Sequence, residues 1–229
     1  MVDNETEGDW STAGERIRLA RESLSMSVRE LSRRIGVSAS HVSQVERGLA
    51  SFSVRTLYNV VSELGISMDS LFGEVLASDG EVISEERSAP ATDTPLDQSG
   101  IVLRGASRPS INLHSGPRWE RLTAKPEVGT EFIEVIYDAA PGSEPPSDFI
   151  RHSGREYGLI LSGSLNVQVG FGVAELQPGD SIAFDSSTPH RFWNSSSTPV
   201  VAVWFVLDAA ANQDPFGANT ESDGYHHGL

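Results

Sequence analysis

The chain has no cysteine, so no disulfide framework, thiolate metal site or cysteine nucleophile is available to it. It has no apolar run long enough to span a bilayer, and it opens on MVDNETEGDW, which is acidic and polar and unlike a secretory leader. A cytoplasmic protein with no membrane partner is expected. Positive charge is scarce too: 17 Lys plus Arg stand against 32 Asp plus Glu, a formal net charge of −15 over 229 residues. That balance opposes nucleic-acid binding, because affinity for a duplex comes largely from neutralising phosphates. The deficit is uneven, however. Residues 11–72 hold eight Arg against six acids, whereas residues 1–10 carry four acids and no base, and residues 73–229 hold nine bases against 22 acids. The acidity lies outside one short, weakly basic segment.

Within that segment, Ser27 precedes the first apolar-periodic residue and Glu30 stands three positions on, a capping-box arrangement that predicts a helix starting near Val28. Leu31 and Ile35 share its inner face and leave Arg29, Arg33 and Arg34 outside. Gly36 supplies the left-handed residue that a sharp helix-to-helix turn needs. Ser38 caps the next helix, in which Val42 and Val45 point inward while Ala39, Ser40, His41, Ser43, Gln44 and Arg47 point out. Caps at Ser53 and Ser67 predict two more helices, one carrying Leu57, Val60, Val61 and Leu64, the other Met68, Leu71 and Phe72. Upstream, Thr12 and Glu15 predict a helix with Ile17, Leu19 and Leu24. An all-α bundle of five short helices is therefore expected over residues 11–75, behind a disordered acidic tail over 1–10 that includes Trp10. The small and polar outward residues after Ser38 suit a helix lying in a major groove, where Gln44 can bond a base edge bidentately.

The run from Ser27 to Gly48, with SQVERG and then TLYNVVSELGISMDSLF as its most specific stretches, resembles the phage-repressor or Xre-type helix-turn-helix domain over residues 12–72. The resemblance implies DNA binding through Ser38, Ala39, Ser40, Ser43, Gln44, Arg47 and Arg55, with Arg47 nearer phosphate than base. The family usually has alanine where this chain has Ser32.

Residues 76–100 are rich in Ser, Asp, Glu and Pro without apolar period and are expected to be linker. The pattern then changes to short alternating bursts broken by Gly, Pro and Ser: IVLRG, RWERLTA, TEFIEVIYDA, YGLILSG, SLNVQVG, VAEL, SIAF, HRFWNSS and PVVAVWFVL. Strands at this spacing, with no helical pattern between them, predict a β-sandwich or barrel over residues 101–208. Trp119, Trp193 and Trp204 fall in or beside strands and are expected in its core. Residues 209–229, which include His226 and His227, are expected to be a disordered tail.

Two stretches of this half, GSEPPSDFIRHSGREYGLILSG and QPGDSIAFDSSTPHRFWN, resemble the two motifs of the cupin family, a jelly-roll barrel whose motifs bring metal ligands together in the barrel mouth. Carried over residue by residue, His152, Glu156 and Gly163 match the second histidine, the glutamate and the glycine of the first motif, and Gly179, His190 and Asn194 match positions of the second. Ile150 stands where the first histidine would be, and Asp185 and Ser187 replace an inner proline and glycine. The resemblance implies a ligand set of His152, Glu156 and His190. Such a set suits iron, manganese, zinc or nickel with open positions left over; otherwise the two histidines hydrogen-bond within the barrel or to an organic effector. Arg151, Arg155 and Arg191 flank the site and can pair with an anionic effector, although exposed arginines on a solvated face are commoner.

A DNA-reading bundle joined to a small-molecule barrel implies a transcriptional regulator and not an enzyme. It would bind a palindromic operator as a homodimer, with a small-molecule effector in the barrel shifting DNA affinity. The alternative is a cupin-type mononuclear non-haem iron oxygenase or epoxidase whose helix-turn-helix domain no longer reads DNA.

Overall fold

The computed structural model of the chain describes residues 10–72, 94–113 and 116–207. Its helical part contains α1 (Trp10–Ser23), α2 (Val28–Ile35), α3 (Ala39–Glu46), α4 (Val54–Leu64) and a 3-10 helix, Met68–Leu71. Serine starts four of these five. Ser27, Ser38, Ser53 and Ser67 accept from the backbone N–H three residues on, at 3.1, 3.1, 3.3 and 3.1 Å. Each cap satisfies a donor the helix itself cannot, worth about 1 kcal/mol. At Ser27 only half of the expected box forms, because Glu30 turns its carboxylate to Arg33 and Arg34. Gly36 ends α2 in the left-handed region (φ 74°), which produces the tight turn into α3.

The start of the bundle departs from expectation. Trp10 is not tail: it is the first residue of α1, 6% exposed, and its indole N–H donates to the carbonyl of Asn112 in the β half. The helix thus begins ahead of Thr12, drawn out by the burial of the tryptophan. Of the apolar residues expected inside, Ile17 is buried, but Leu19 and Leu24 are 54% and 51% exposed. Arg21 takes the inner position instead. Its Nε and Nη2 reach the two carboxylate oxygens of Glu46 at 2.6 and 2.9 Å, and its Nη1 donates to the carbonyl of Met26 at 2.8 Å. This pair joins α1 to the end of α3. A Cβ at Gly14 would lie 2.1 Å from the Val45 carbonyl, so the same two helices approach at a spacing only glycine permits.

Part of the expected linker is ordered. Thr94 caps a helical turn, Pro95–Gln98, through a reciprocal capping box with Asp97, whose carboxylate also takes both ends of the Arg104 guanidinium. Those bonds hold the Asp97 carboxyl well below the usual range, the arginine first and Thr94 after it. IVLRG is not a strand: the N–H groups of Ile101 and Val102 both close back onto the Leu96 carbonyl, and Ile101 is 72% exposed. The rest of the linker and the C-terminal tail lie outside the described residues.

Among the described residues nine strands follow: β1 (Ser110–Asn112), β2 (Arg118–Arg121), β3 (Thr130–Tyr137), β4 (Arg155–Ser162), β5 (Leu165–Val169), β6 (Gly172–Leu176), β7 (Ser181–Asp185), β8 (His190–Trp193) and β9 (Val200–Leu207). They form a six-stranded sheet in the order β1-β2-β3-β9-β4-β7 and a three-stranded sheet β6-β5-β8, with antiparallel pairing throughout. The sheets face one another across a core that includes Trp119, Val135, Ile160, Leu165 and Trp204, and Phe192 of β8 packs on Trp204 of β9 at 4.5 Å between ring centroids. Period-two alternation explains this: in β9, Val200, Ala202, Trp204 and Val206 are buried, and their neighbours face out.

The two halves meet at Asp69 and Arg121. Arg121 has no exposed surface; it donates to the carbonyls of Thr123 and Ala124 at 3.0 and 3.3 Å, lies 3.9 Å from Asp69 Oδ1, and sits 5.9 Å above the Phe72 ring. Asp69 Oδ2 accepts from the Glu127 N–H at 2.8 Å.

Because the Arg21–Glu46 pair is withdrawn from solvent, removing one partner leaves the other charge buried alone. Glu46→Ala should lower stability in urea unfolding by about 3–5 kcal/mol, and combining Arg21→Met with Glu46→Leu should recover most of that loss. A double variant no more stable than Glu46→Ala would show that the pair does not govern this packing.

Candidate functional site

Two surfaces carry chemistry. The first is the α2–turn–α3 unit. Val42 and Val45 anchor α3 in the core, and this leaves Ser40, Gln44 and Arg47 exposed, with Ala39 and Ser43 partly so. Ser38 is exposed but spends its hydroxyl on the cap. Arg47 folds its Nε back to the Ser43 carbonyl at 3.1 Å, and His41 packs edge-on against Phe52 at 5.3 Å, half-buried and so less outward than expected. Arg33 and Arg34 both pair with Glu30, whose carboxyl they pull down, and Arg34 also pairs with Glu63, so these four side chains carry no net charge on that side. Arg55, exposed in the first turn of α4, forms an ion pair at 3.0 Å with Asp148 of the β half.

The second surface is recessed. His152 stands just before β4, Glu156 points inward from β4, and His190 opens β8. The backbone fixes all three: Ile150 and His190 exchange N–H···O bonds of 2.8 and 3.0 Å, and the His152 N–H reaches the Ser186 carbonyl at 3.1 Å. Glu156 and His190 are 5% and 1% exposed. Nε2 of His152 lies 2.8 Å and Nε2 of His190 3.1 Å from the same oxygen, Glu156 Oε1. The other ring nitrogens are taken, His152 Nδ1 by the Ser153 carbonyl at 3.0 Å and His190 Nδ1 by the Thr188 carbonyl at 2.9 Å. A carbonyl only accepts, so each Nδ1 carries its proton, and Nε2 is the nitrogen each ring turns towards the carboxylate. Burial pushes the Glu156 carboxyl up, but the two imidazoles outweigh it and hold the group below the ordinary carboxylate range. The three donor atoms lie within 4.8 Å of one another, a spacing at which one cation would meet all of them.

Over this cluster is a cavity of about 80 Å³, walled by Trp119, Tyr137, Phe192 and Trp204 of the β half and by Val54 and Tyr58 of α4. The Tyr58 ring stacks on His152, centroids 4.1 Å apart and planes 4° from parallel, and its hydroxyl makes a long bond, 3.5 Å, to Glu131 Oε2. Burial pushes the Tyr58 and Tyr137 phenols up, so both stay protonated. The sequence patterns pointed to neither Tyr58 nor Val54. The available signal was an aromatic residue on α4 off the stripe formed by Leu57, Val60, Val61 and Leu64.

The three flanking arginines are committed elsewhere. Arg191 gives Nε and Nη2 to Gln168 Oε1 at 2.9 and 2.6 Å and Nη1 to the Pro146 carbonyl, with Phe149 4.4 Å beneath it. Arg151 donates to the Ser187 carbonyl at 3.0 Å, and Arg155 lies over Tyr157 on the outer sheet face. Of the tryptophans, Trp119 and Trp204 are core and cavity wall, whereas Trp193 is half-buried. His114, His226 and His227 lie outside the described residues.

Comparison with known proteins agrees with both halves. The helix-turn-helix family matches residues 17–71 and the cupin domain family residues 135–206. The chain is 22% identical over 185 residues to the HTH-type transcriptional regulator PuuR of Escherichia coli (strain K12), spanning 80% of this chain and 88% of that one. It is 35% identical over 85 residues to the uncharacterized HTH-type transcriptional regulator MT0491 of Mycobacterium tuberculosis (strain CDC 1551 / Oshkosh), spanning 37% of this chain and 61% of that one. The crystal structure of an HTH_3 family transcriptional regulator from Vibrio cholerae shares the fold, with a TM-score of 0.55 at 23% identity over 87% of this chain and 96% of that one. The protein is thus a DNA-binding transcriptional regulator built from an Xre-type helix-turn-helix domain and a cupin domain.

Asn194, which matches the second cupin motif, has a structural role. Its Nδ2 donates to the carbonyls of Tyr137, Asp138 and Thr198, and its Oδ1 accepts from the Ser196 N–H and hydroxyl. Asn194→Ala should cost about 3 kcal/mol in thermal or urea unfolding, because several buried polar groups lose their partner together. A loss below a few tenths would mean that water replaces the amide.

Proposed function

We propose that the protein represses or activates transcription from a two-fold-symmetric operator, bound as a homodimer, under control of a small-molecule effector in the cupin cavity. The observation that carries this reading is the presence, in one chain, of an exposed polar reading helix and a half-open aromatic cavity lined by Glu156 and His190, with His152 beside them. In the reading unit, α3 enters the major groove, Gln44 bonds a base edge, and Arg47 and Arg55 take phosphates. One such helix fixes only a few base pairs, so a second copy is needed for useful specificity. The outer face of the six-stranded sheet supports a homodimer: Phe132, Tyr157, Leu159 and Leu161 are exposed there, in a sheet whose central strand β9 is apolar on both faces.

We further propose that His152, Glu156 and His190 hold a divalent metal. The residues fit one: two imidazoles oriented through their Nδ1 bonds and a carboxylate kept ionised, with their donor atoms within 4.8 Å of one another. Such an ion would supply positive charge to this site and open positions for an effector's oxygen or nitrogen. The same triad favours a second reading, a mononuclear iron oxygenase, although the arginines that would hold an anionic substrate are engaged elsewhere.

Gel shifts against the protein's own upstream region test the regulator. Gln44→Ala should lose about 1–3 kcal/mol of discrimination at one base pair of each half-site, whereas Arg47→Ala should weaken all sequences alike and reduce the salt slope by about 0.9. Unchanged operator preference in Gln44→Ala would remove that residue from the reading face. For the ion, elemental analysis of untagged, dialysed protein should find about one transition metal per chain, falling at least tenfold in His190→Ala. Equal content in both would leave the cluster without a metal role. Stoichiometric iron with dioxygen uptake and no DNA shift would favour the oxygenase.

A further inference from the structure

Helix α4 belongs to the DNA-reading domain, yet it forms part of the cupin cavity. Arg55 and Tyr58 are three residues apart, so they lie on one side of the helix. Arg55 pairs with Asp148 at 3.0 Å, and Asp148 sits in the segment that leads to His152. Tyr58 covers the face of His152 at 4.1 Å, and Val54 completes that wall. The far end of α4 runs through Gly65 into the 3-10 helix, where Asp69, Phe72 and the fully buried Arg121 close the domain junction. One end of the helix is therefore tied into a dry contact. The other is held by a ring stack and by an ion pair whose side chains are 52% and 60% exposed, a kind of pair that contributes little alone and exchanges readily.

We propose that α4 is the lever by which occupancy of the His152–Glu156–His190 site controls DNA binding, with Tyr58 as the positioning residue and Arg55 as the contact withheld from DNA. This rests on the metal-binding regulator proposed above. When Nε2 of His152 is engaged, its ring is fixed and offers Tyr58 a rigid face, so α4 stays docked and Arg55 stays on Asp148. When Nε2 is not engaged, the His152 ring is held by its Nδ1 bond to the Ser153 carbonyl alone, the stack loosens, and Arg55 passes from one carboxylate to a backbone phosphate. Occupancy therefore weakens operator binding, and by reciprocity the operator weakens occupancy by the same factor.

The test uses the full-length protein, its own upstream DNA and cobalt(II), whose visible absorption reports coordination independently of DNA. In the wild type, cobalt should weaken DNA binding about fivefold or more and lower the slope of log K against log salt by about 0.9, the signature of one lost phosphate contact. Asp148→Asn, which is no part of the ion's site, should bind cobalt as the wild type does while its DNA affinity no longer responds. Tyr58→Leu should likewise lose the response. Cobalt coordination with an unaltered DNA affinity in the wild type, or a full response persisting in both variants, overturns the lever. No cobalt absorption in the wild type overturns the metal reading and the lever with it, and no DNA shift in any state overturns the regulator itself.

Discussion

The orientation of the two domains depends on a guanidinium that never meets solvent. Arg121 is fully buried, and withdrawing such an ion from water costs several kcal/mol unless its surroundings replace the hydration. Here two backbone carbonyls, the Asp69 carboxylate and the face of Phe72 do so, and two of those four come from the helical domain. Asp69 is under a matching constraint: burial pushes its carboxyl up, and the Glu127 N–H and Arg121 pull against that. Separating the domains at this point would strand both charges, so the junction is stiff. The indole of Trp10 on the Asn112 carbonyl adds a second tie at the start of α1. Everything α4 does at the cavity follows from being held at this end and only lightly gripped at the other.

The cavity shows the same logic on a smaller scale. Its walls are aromatic and its floor is polar, so the Coulomb attraction between a cation and Glu156 would be little screened there. Two imidazoles oriented by their Nδ1 bonds both face that carboxylate through Nε2, which is the arrangement the proposed cation would use. The strand pairings that bring Ile150 against His190 keep this geometry from relaxing.

How far the sequence spoke for itself follows from what each signal reports. Serine caps and turn glycines are local chemistry, and at Ser27, Ser38, Ser53, Ser67 and Gly36 they coincide with the helix boundaries. Period-two alternation located eight of the nine strands, and failed at IVLRG because a burst of apolar residues does not say whether a neighbouring strand is in reach. The cupin motifs singled out His152, Glu156 and His190 as a set, and the fold brings them together. Contacts between domains left no trace in either pattern. A helix period identifies the face buried within its own bundle, so Tyr58, Val54 and Asp69, which face the other domain, looked like ordinary surface or cap residues. Arg21 was hidden for a related reason: its partner Glu46 is 25 residues away, and nothing in the spacing links them.

The charge distribution makes the position of Arg55 matter. In a basic protein, one arginine more or less on the phosphates changes affinity against a large background of other contacts. This chain carries −15 overall, and the excess over the reading domain is acidic throughout, so its long-range field repels duplex DNA. Under the proposed function, binding would then rest on the few contacts that the α3–α4 face can make. Two arginines of α2, Arg33 and Arg34, are occupied by Glu30 and Glu63. Against so small a positive total, whether Arg55 faces a phosphate or Asp148 is a large fractional change. Under the proposed lever, an acidic cupin domain placed beside a sparsely charged reader would turn a modest movement of one helix into a measurable change in DNA occupancy.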